Sequence, residues 1–259
     1  MTNKNTKLSI SDLQVEYETR AGSTLALDQV SLEIHDGEFV SVVGPSGCGK
    51  STLLKAVAGL LRPSSGTISI DGQQVQGIPD QIGMVFQNDA LLPWKTVYDN
   101  VRLPLVIRGM APTEQKSTVL KLLEMVGLNG FEHFYPNQLS GGMRKRVALA
   151  RTFAYDPSIY LMDEPFGPLD AQTRMKIGEE FLKIWEQVGK SVLFITHDIE
   201  EAIALSDRVV VMTRRPGKIK AEFRVELKRP RPYFGVRFHP QFQQLQKSIW
   251  EAMADEVVV

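Results

Sequence analysis

Short, continuous apolar runs alternate along this chain with longer stretches in which apolar residues recur at helical spacing. The runs at 39–43, 82–86, 159–162, 191–195 and 208–212 have the length and makeup of buried strands. Helical patterns lie between them, so the alternation predicts an α/β fold with a largely parallel sheet. Thr52 to Leu61 reads as one helix, and 171–188 as another, with Ile177, Phe181, Ile184, Trp185 and Val188 on a single face. Residues 8–36 differ. They read as short strands, including the alternation Leu13, Val15, Tyr17, around a glycine-containing turn, Arg20-Ala21-Gly22-Ser23. Residues 65–76 read as a hairpin turning at Asp71-Gly72, and both segments predict a small antiparallel layer beside the main sheet. From Asn88 to Asp156 the pattern is helical, and a last helix carries Phe242, Leu245, Ile249 and Met253 at helical spacing.

These patterns predict one domain over 1–259. Its core and antiparallel layer occupy about 8–88 and 157–225, an inserted helical subdomain about 89–156, and a terminal helix about 238–255. An apolar content of 43% over 259 residues suffices for a sizeable core. Thirty basic residues balance thirty acidic ones, so bulk charge gives no reason to expect a nucleic-acid partner. No apolar run approaches the length of a membrane-spanning helix, and the polar start Met1 to Lys7 lacks a signal-peptide apolar region. Any membrane role is therefore expected through a partner chain. Cys48 is the sole cysteine, which excludes an internal disulfide and suits a cytosolic location.

The chemistry begins at Gly44-Pro45-Ser46-Gly47-Cys48-Gly49-Lys50-Ser51, which fits G-x-x-x-x-G-K-[ST] at every fixed position. An apolar strand precedes it and a helix, entered at Thr52, follows. Glycines at 44, 47 and 49 let backbone N–H groups wrap phosphates, Lys50 is placed for the β- and γ-phosphates, and Ser51 for Mg²⁺. Cys48 fills a free position of the loop and reads as filler there, with a reactive thiol as the alternative in such positive surroundings. The apolar strand 159–162 ends in Asp163-Glu164. That arrangement suits Asp163 to hold the magnesium and Glu164 to orient and deprotonate the attacking water. Gln87, after the strand 82–86, is placed to contact magnesium and the same water. His197, after the run 192–196, is placed for the γ-phosphate, and Asp170 lies in a turn just past the acids.

A second anion-binding surface is written at Leu139-Ser140-Gly141-Gly142-Met143, which opens the basic helix Arg144 to Phe153. Two glycines allow close backbone approach, Ser140 adds a hydroxyl donor, and the helix aims its positive end at the same place. A plain helix N-cap followed by flexible glycines also fits these five residues.

Together these features resemble the nucleotide-binding subunit of an ABC transporter over about residues 8–225. The resemblance implies that Leu139–Met143 is the signature acting on the partner copy's ATP. It also implies that Gln87 is the Q-loop, Asp170 the D-loop at the dimer contact and His197 the switch histidine. Tyr17 looks like the aromatic that stacks on adenine. Two departures are Met143, where Gln is commonest, and Pro168, where Ala is usual. Neither removes the glycine backbone contacts. The segments Leu92 to Val97, Leu139 to Arg144, Leu227 to Arg231 and Ser248 to Glu251 resemble the nitrate, sulfonate, taurine and bicarbonate importer branch. That branch implies ATP and Mg²⁺, a second copy in an ATP-sandwich dimer, two transmembrane permease subunits and, indirectly, a periplasmic or extracellular solute-binding protein. It implies a peripheral position on the cytoplasmic face of the inner membrane. Trp94 reads either as part of the groove for a permease helix or as subdomain packing. A soluble ABC ATPase is the alternative, though such proteins usually join two domains or carry a long coiled coil. A P-loop kinase or GTPase explains Lys50 and Asp163 but leaves Leu139–Met143 and His197 without a role.

Overall fold

The structure is a computed structural model that describes residues 5–19, 22–167 and 169–256. Pro168, Arg20 and Ala21 of the expected turn, and Met1 to Lys4 of the polar start lie outside the described residues. Two sheets organise the chain. The larger has six strands: β3 (Phe39–Val43), β6 (Ile82–Val85), β7 (Ile159–Asp163), β8 (Ser191–Ile195), β9 (Arg208–Met212) and β10 (Ile219–Arg224). Their spatial order is β10-β9-β3-β8-β7-β6, and all neighbours are parallel except β10 on β9. The central strands β3 and β8 are buried at every residue, as continuous apolar runs require when helices cover both faces. β10 alternates half-buried and exposed positions, the pattern of an edge strand rather than of another parallel core strand.

The smaller sheet is antiparallel, ordered β2-β1-β4-β5, from β1 (Thr6–Thr19), β2 (Gly22–His35), β4 (Ser65–Ile70) and β5 (Gln73–Gln74). Here the structure corrects the reading of 8–36 as short strands. β1 and β2 are single fourteen-residue strands whose register shifts at several points. Asp12 and Gln29 take left-handed φ of 48° and 51°, so the apolar alternation breaks while the pairing continues. The helix expected at Thr52–Leu61 runs instead as α1 (Lys50–Val57). It stops because the chain turns at Gly59, φ 70°, where an added Cβ would lie 1.7 Å from the Gly77 carbonyl oxygen.

The helical stretch holds α2 (Val97–Ile107), α3 (Pro112–Met125) and α4 (Gly141–Ala154), while α5 (Ala171–Val188), α6 (Ile199–Leu205) and α7 (Pro240–Ala254) complete the fold. α4 packs on α2, α3, β6 and α5, so its first turn is set by both the helical layer and the main sheet. Two apolar clusters result. One joins the helices to one face of the main sheet around Phe39, Phe166, Phe181, Phe194 and Trp185. The other fills the space between the sheets around α1, with Leu13, Leu27, Val42 and Leu161. Among the described residues no helix is long and apolar enough to cross a membrane.

Candidate nucleotide site

The loop from Gly44 to Gly49 joins the C-terminal end of β3 to α1, the position where parallel sheets bind phosphates at helix N-termini. Gly49 caps α1 with φ 110°, a conformation that only glycine adopts without strain. Lys50 is buried, and its ammonium donates to the carbonyls of Gly44 at 2.8 Å and Pro45 at 2.9 Å. Ser46 and Gly47 are exposed at the loop's crest.

Cys48 is placed otherwise than its loop position suggests. Its side chain is 1% exposed and belongs to the core between the sheets. Burial pushes the thiol's pKa up, and the nearby Lys50 charge opposes this without reversing it. The filler reading fits this burial, and desolvation removes the alternative of a reactive thiol.

Ser51 Oγ donates to Asp163 Oδ1 at 2.9 Å, which brings the first turn of α1 to the end of β7. Burial raises the Asp163 pKa, the Ser51 hydrogen bond lowers it, and the Glu164 charge raises it further. A divalent cation relieves that cost, and the two hard oxygen donors suit Mg²⁺. Among the described residues no cluster of three or more His, Cys, Asp or Glu forms an all-protein metal cage.

Glu164 leaves the strand with φ 42°, a strained conformation for a non-glycine residue, while its N–H remains bonded to the Ile195 carbonyl at 2.9 Å. Its Oε2 lies 3.1 Å from His197 Nδ1, so the sheet brings residues 33 apart in sequence into contact. The Tyr17 hydroxyl lies 3.2 Å from Thr52 Oγ1, which places this half-buried ring beside the first turn of α1.

The Leu139–Met143 run sits at the start of α4. Leu139 is buried and Ser140 exposed. Ser140 Oγ accepts from Met143 N at 3.3 Å, so the serine is indeed a helix N-cap. A hydroxyl that accepts this bond still has its own proton to donate, so capping and anion binding are compatible. Met143 packs against the core, a place for an apolar side chain. Asp170 caps α5 by accepting from Gln172 N at 3.1 Å and Thr173 N at 3.0 Å. Bonds from Thr173 and Gln172 hold its carboxyl below the usual range.

Gln87 is exposed just past β6, and its carbonyl oxygen accepts from Lys145 Nζ at 2.5 Å. Lys145 is 3% exposed and also pairs with Asp89 at 3.1 Å, while Arg151 donates to the carbonyls of Asp89 and Ala90. The segment after Gln87 is thus fastened to α4 by cations that sequence reasoning did not single out. The available signal was a lysine on the apolar side of α4. The next loop is fixed by Asn100, fully buried, whose amide bonds Leu92, Lys95 and Thr96. Trp94, carried on that loop, is 71% exposed, which rules out the subdomain-packing reading of this residue.

Comparison with known proteins agrees with this geometry. The family model described as ABC transporter matches residues 27–167. The nitrate import ATP-binding protein NrtD of Synechocystis is 47% identical over 220 residues, covering 85% of this chain and 83% of its own. The taurine import ATP-binding protein TauB of Yersinia pestis is 48% identical over 212 residues, 82% of each chain. A solved dimeric ATP-binding cassette in a post-hydrolysis state, bound to ADP and Pi, superposes with TM-score 0.75 at 35% identity. That match covers 85% of this chain and 100% of the other. The chain belongs to the ABC transporter family as one of its ATP-binding proteins.

Proposed function

We propose that the chain is the ATP-hydrolysing subunit of an importer for a small solute, an anion such as nitrate, a sulfonate, taurine or bicarbonate. Two copies sandwich ATP, each nucleotide lying between the phosphate loop of one copy and Leu139–Met143 of the other. What supports this reading is that two glycine-bearing helix N-termini, those of α1 and α4, accompany the Glu164–His197 contact at 3.1 Å. A symmetric dimer uses both surfaces twice. The relatives named for nitrate and taurine import support the transport role and the class of solute.

In this reading Glu164 takes the proton of the attacking water and His197 steadies Glu164 and the γ-phosphate. Lys50 exchanges loop carbonyls for phosphate oxygens, and the N–H groups of the loop from Ser46 to Thr52 wrap the phosphates, with Tyr17 against adenine. Ser51, Asp163 and Gln87 would hold Mg²⁺, which supplies neutralising charge on the phosphates when bound. Asp170 lies at the dimer contact. The membrane-spanning partners dock on the cytoplasmic side against an apolar groove of about 280 Å³ that includes Ile78, Met84, Leu103, Ile107 and Tyr155. Ile78 and Ile107, 72% and 73% exposed, are apolar surface of the kind that a partner covers. Trp94, on the loop leading into α2, is exposed as well.

The test pairs one subunit carrying Lys50→Ala with another carrying Ser140→Arg in the assembled membrane complex. Either variant as a homodimer has both composite sites damaged. In the mixed dimer both lesions fall in one site and leave the other intact. Retention of about one occluded ATP per mixed dimer is expected from this symmetry. Retention no higher than in either homodimer refutes the shared site.

A further inference from the structure

The chain after β10 packs back onto α6, an earlier helix that begins two residues after His197. At the start of α6, Asp198 accepts from Glu200 N and Glu201 N. Thr196, next to His197 and buried, accepts from Asp198 N at 3.0 Å and donates its hydroxyl to Glu201. Glu201 is 3% exposed, so the peptide carrying His197 is tied to a carboxyl inside the protein.

The C-terminal arm grips this helix at both ends. Arg229 donates to the Leu205 carbonyl at 2.6 Å, and Arg231 to those of Ile203 at 3.0 Å and Ser206 at 2.7 Å. These are carbonyls that a helix end leaves without intrahelical partners. At the other end Glu200 pairs with Arg237 at 2.8 Å and accepts from Gln246 at 3.0 Å. Between the two grips lies Tyr233, 1% exposed, its ring against Gly178 of α5, where a Cβ would come within 2.7 Å. Tyr233 Oη and Glu201 Oε1 have no hydrogen-bond partner.

We infer that Glu201 and the arm residue Arg237 are positioning residues for hydrolysis, through which the C-terminal arm holds His197 against Glu164. Neither touches the nucleotide. Glu201 acts through Thr196, and Arg237 through Glu200 and α6. A partner or ligand that draws the arm away would slacken the contact, which makes the arm a control element. The inference rests on the proposed roles of Glu164 and His197.

The experiment uses the full chain with Thr196→Val, Thr196→Ser and Arg237→Ala. The last is a partly exposed position, and circular dichroism of the variant checks that the fold is kept. ATP turnover is measured alongside the imidazole NMR signal of His197 in histidine-labelled protein, with Glu164→Gln marking the signal of the broken contact. Thr196→Val is expected to lower kcat about fivefold, the size of one lost hydrogen bond, with KM for ATP within about twofold. Arg237→Ala should lower kcat by about twofold, and both variants should move the His197 signal toward the Glu164→Gln position. Thr196→Ser should restore kcat and signal. Wild-type kcat and an unmoved signal in Thr196→Val and Arg237→Ala would overturn the inference while leaving the proposed function intact. A wild-type chain that hydrolyses no ATP either alone or in the assembled membrane complex would overturn the proposed function. The NMR signal, read without nucleotide, would then still report whether the arm holds His197.

Discussion

Lys145 Nζ lies 2.5 Å from the carbonyl oxygen of Gln87, although the two residues stand 58 positions apart. The contact joins the segment after β6 to the helix that Ser140 caps, so these two parts of the proposed ATP sandwich move together. The same ammonium reaches Phe86 O at 3.3 Å and Asp89 at 3.1 Å. Lys145→Met keeps most of the volume but leaves these acceptors short of a buried cation. Stability is expected to fall by about 2–4 kcal/mol. Denaturant unfolding of variant and wild type checks this, and a loss under about 0.5 kcal/mol would show that the lysine does not fasten the two segments.

Glu164→Gln preserves size and hydrogen bonding to His197 while removing the base. ATP should bind as before, and turnover should drop roughly 10²–10⁴-fold. Nucleotide binding and phosphate release measured on the same preparation separate the two effects. Turnover near that of wild type would remove Glu164 from the role of base.

Burial pushes the Glu201 carboxyl up to about 7 from its ordinary 4.5. Its folded pKa therefore exceeds its unfolded one. The linked stability is fully present below pH 4.5 and is lost as pH rises through 7. Glu201→Gln cannot ionise, so its stability relative to wild type should rise by on the order of 2–3 kcal/mol between pH 5 and 8. Urea unfolding at the two pH values measures the difference. A gap that does not change with pH would place the ionised carboxylate comfortably in the fold.

Much of the main sheet was legible because β3 and β8 are buried on both faces and read as unbroken apolar runs. Helix α5 was legible to the residue, since Asp170 caps its start and Gly189 its end. The bulged strands β1 and β2 were not, because a bulge shifts the alternation that identifies a strand. The phosphate loop and the Asp163-Glu164 pair stand in the sequence as local patterns. The Glu164–His197 distance does not, since it depends on β7 and β8 lying side by side. The grip of Arg229 and Arg231 on α6 was hidden for a different reason. Their partners are backbone carbonyls, which every residue carries and no sequence position marks.

Cys48 should react slowly. It is buried, and its raised pKa leaves little thiolate at neutral pH. A soluble disulfide reagent is expected to modify the native chain at least about 100-fold more slowly than the urea-unfolded chain, since reaction awaits local opening. As Cys48 is the sole thiol, the released chromophore reports this position alone. Comparable rates in the two states would show that the loop opens readily.

The Lys50 ammonium rests on the carbonyls of Gly44 and Pro45, two residues of the loop it serves. These internal bonds brace the loop from within. Capture of nucleotide then exchanges one set of oxygens for another and requires little rearrangement of the backbone. In the proposed function, association at this half of the site is then governed by encounter rather than by refolding.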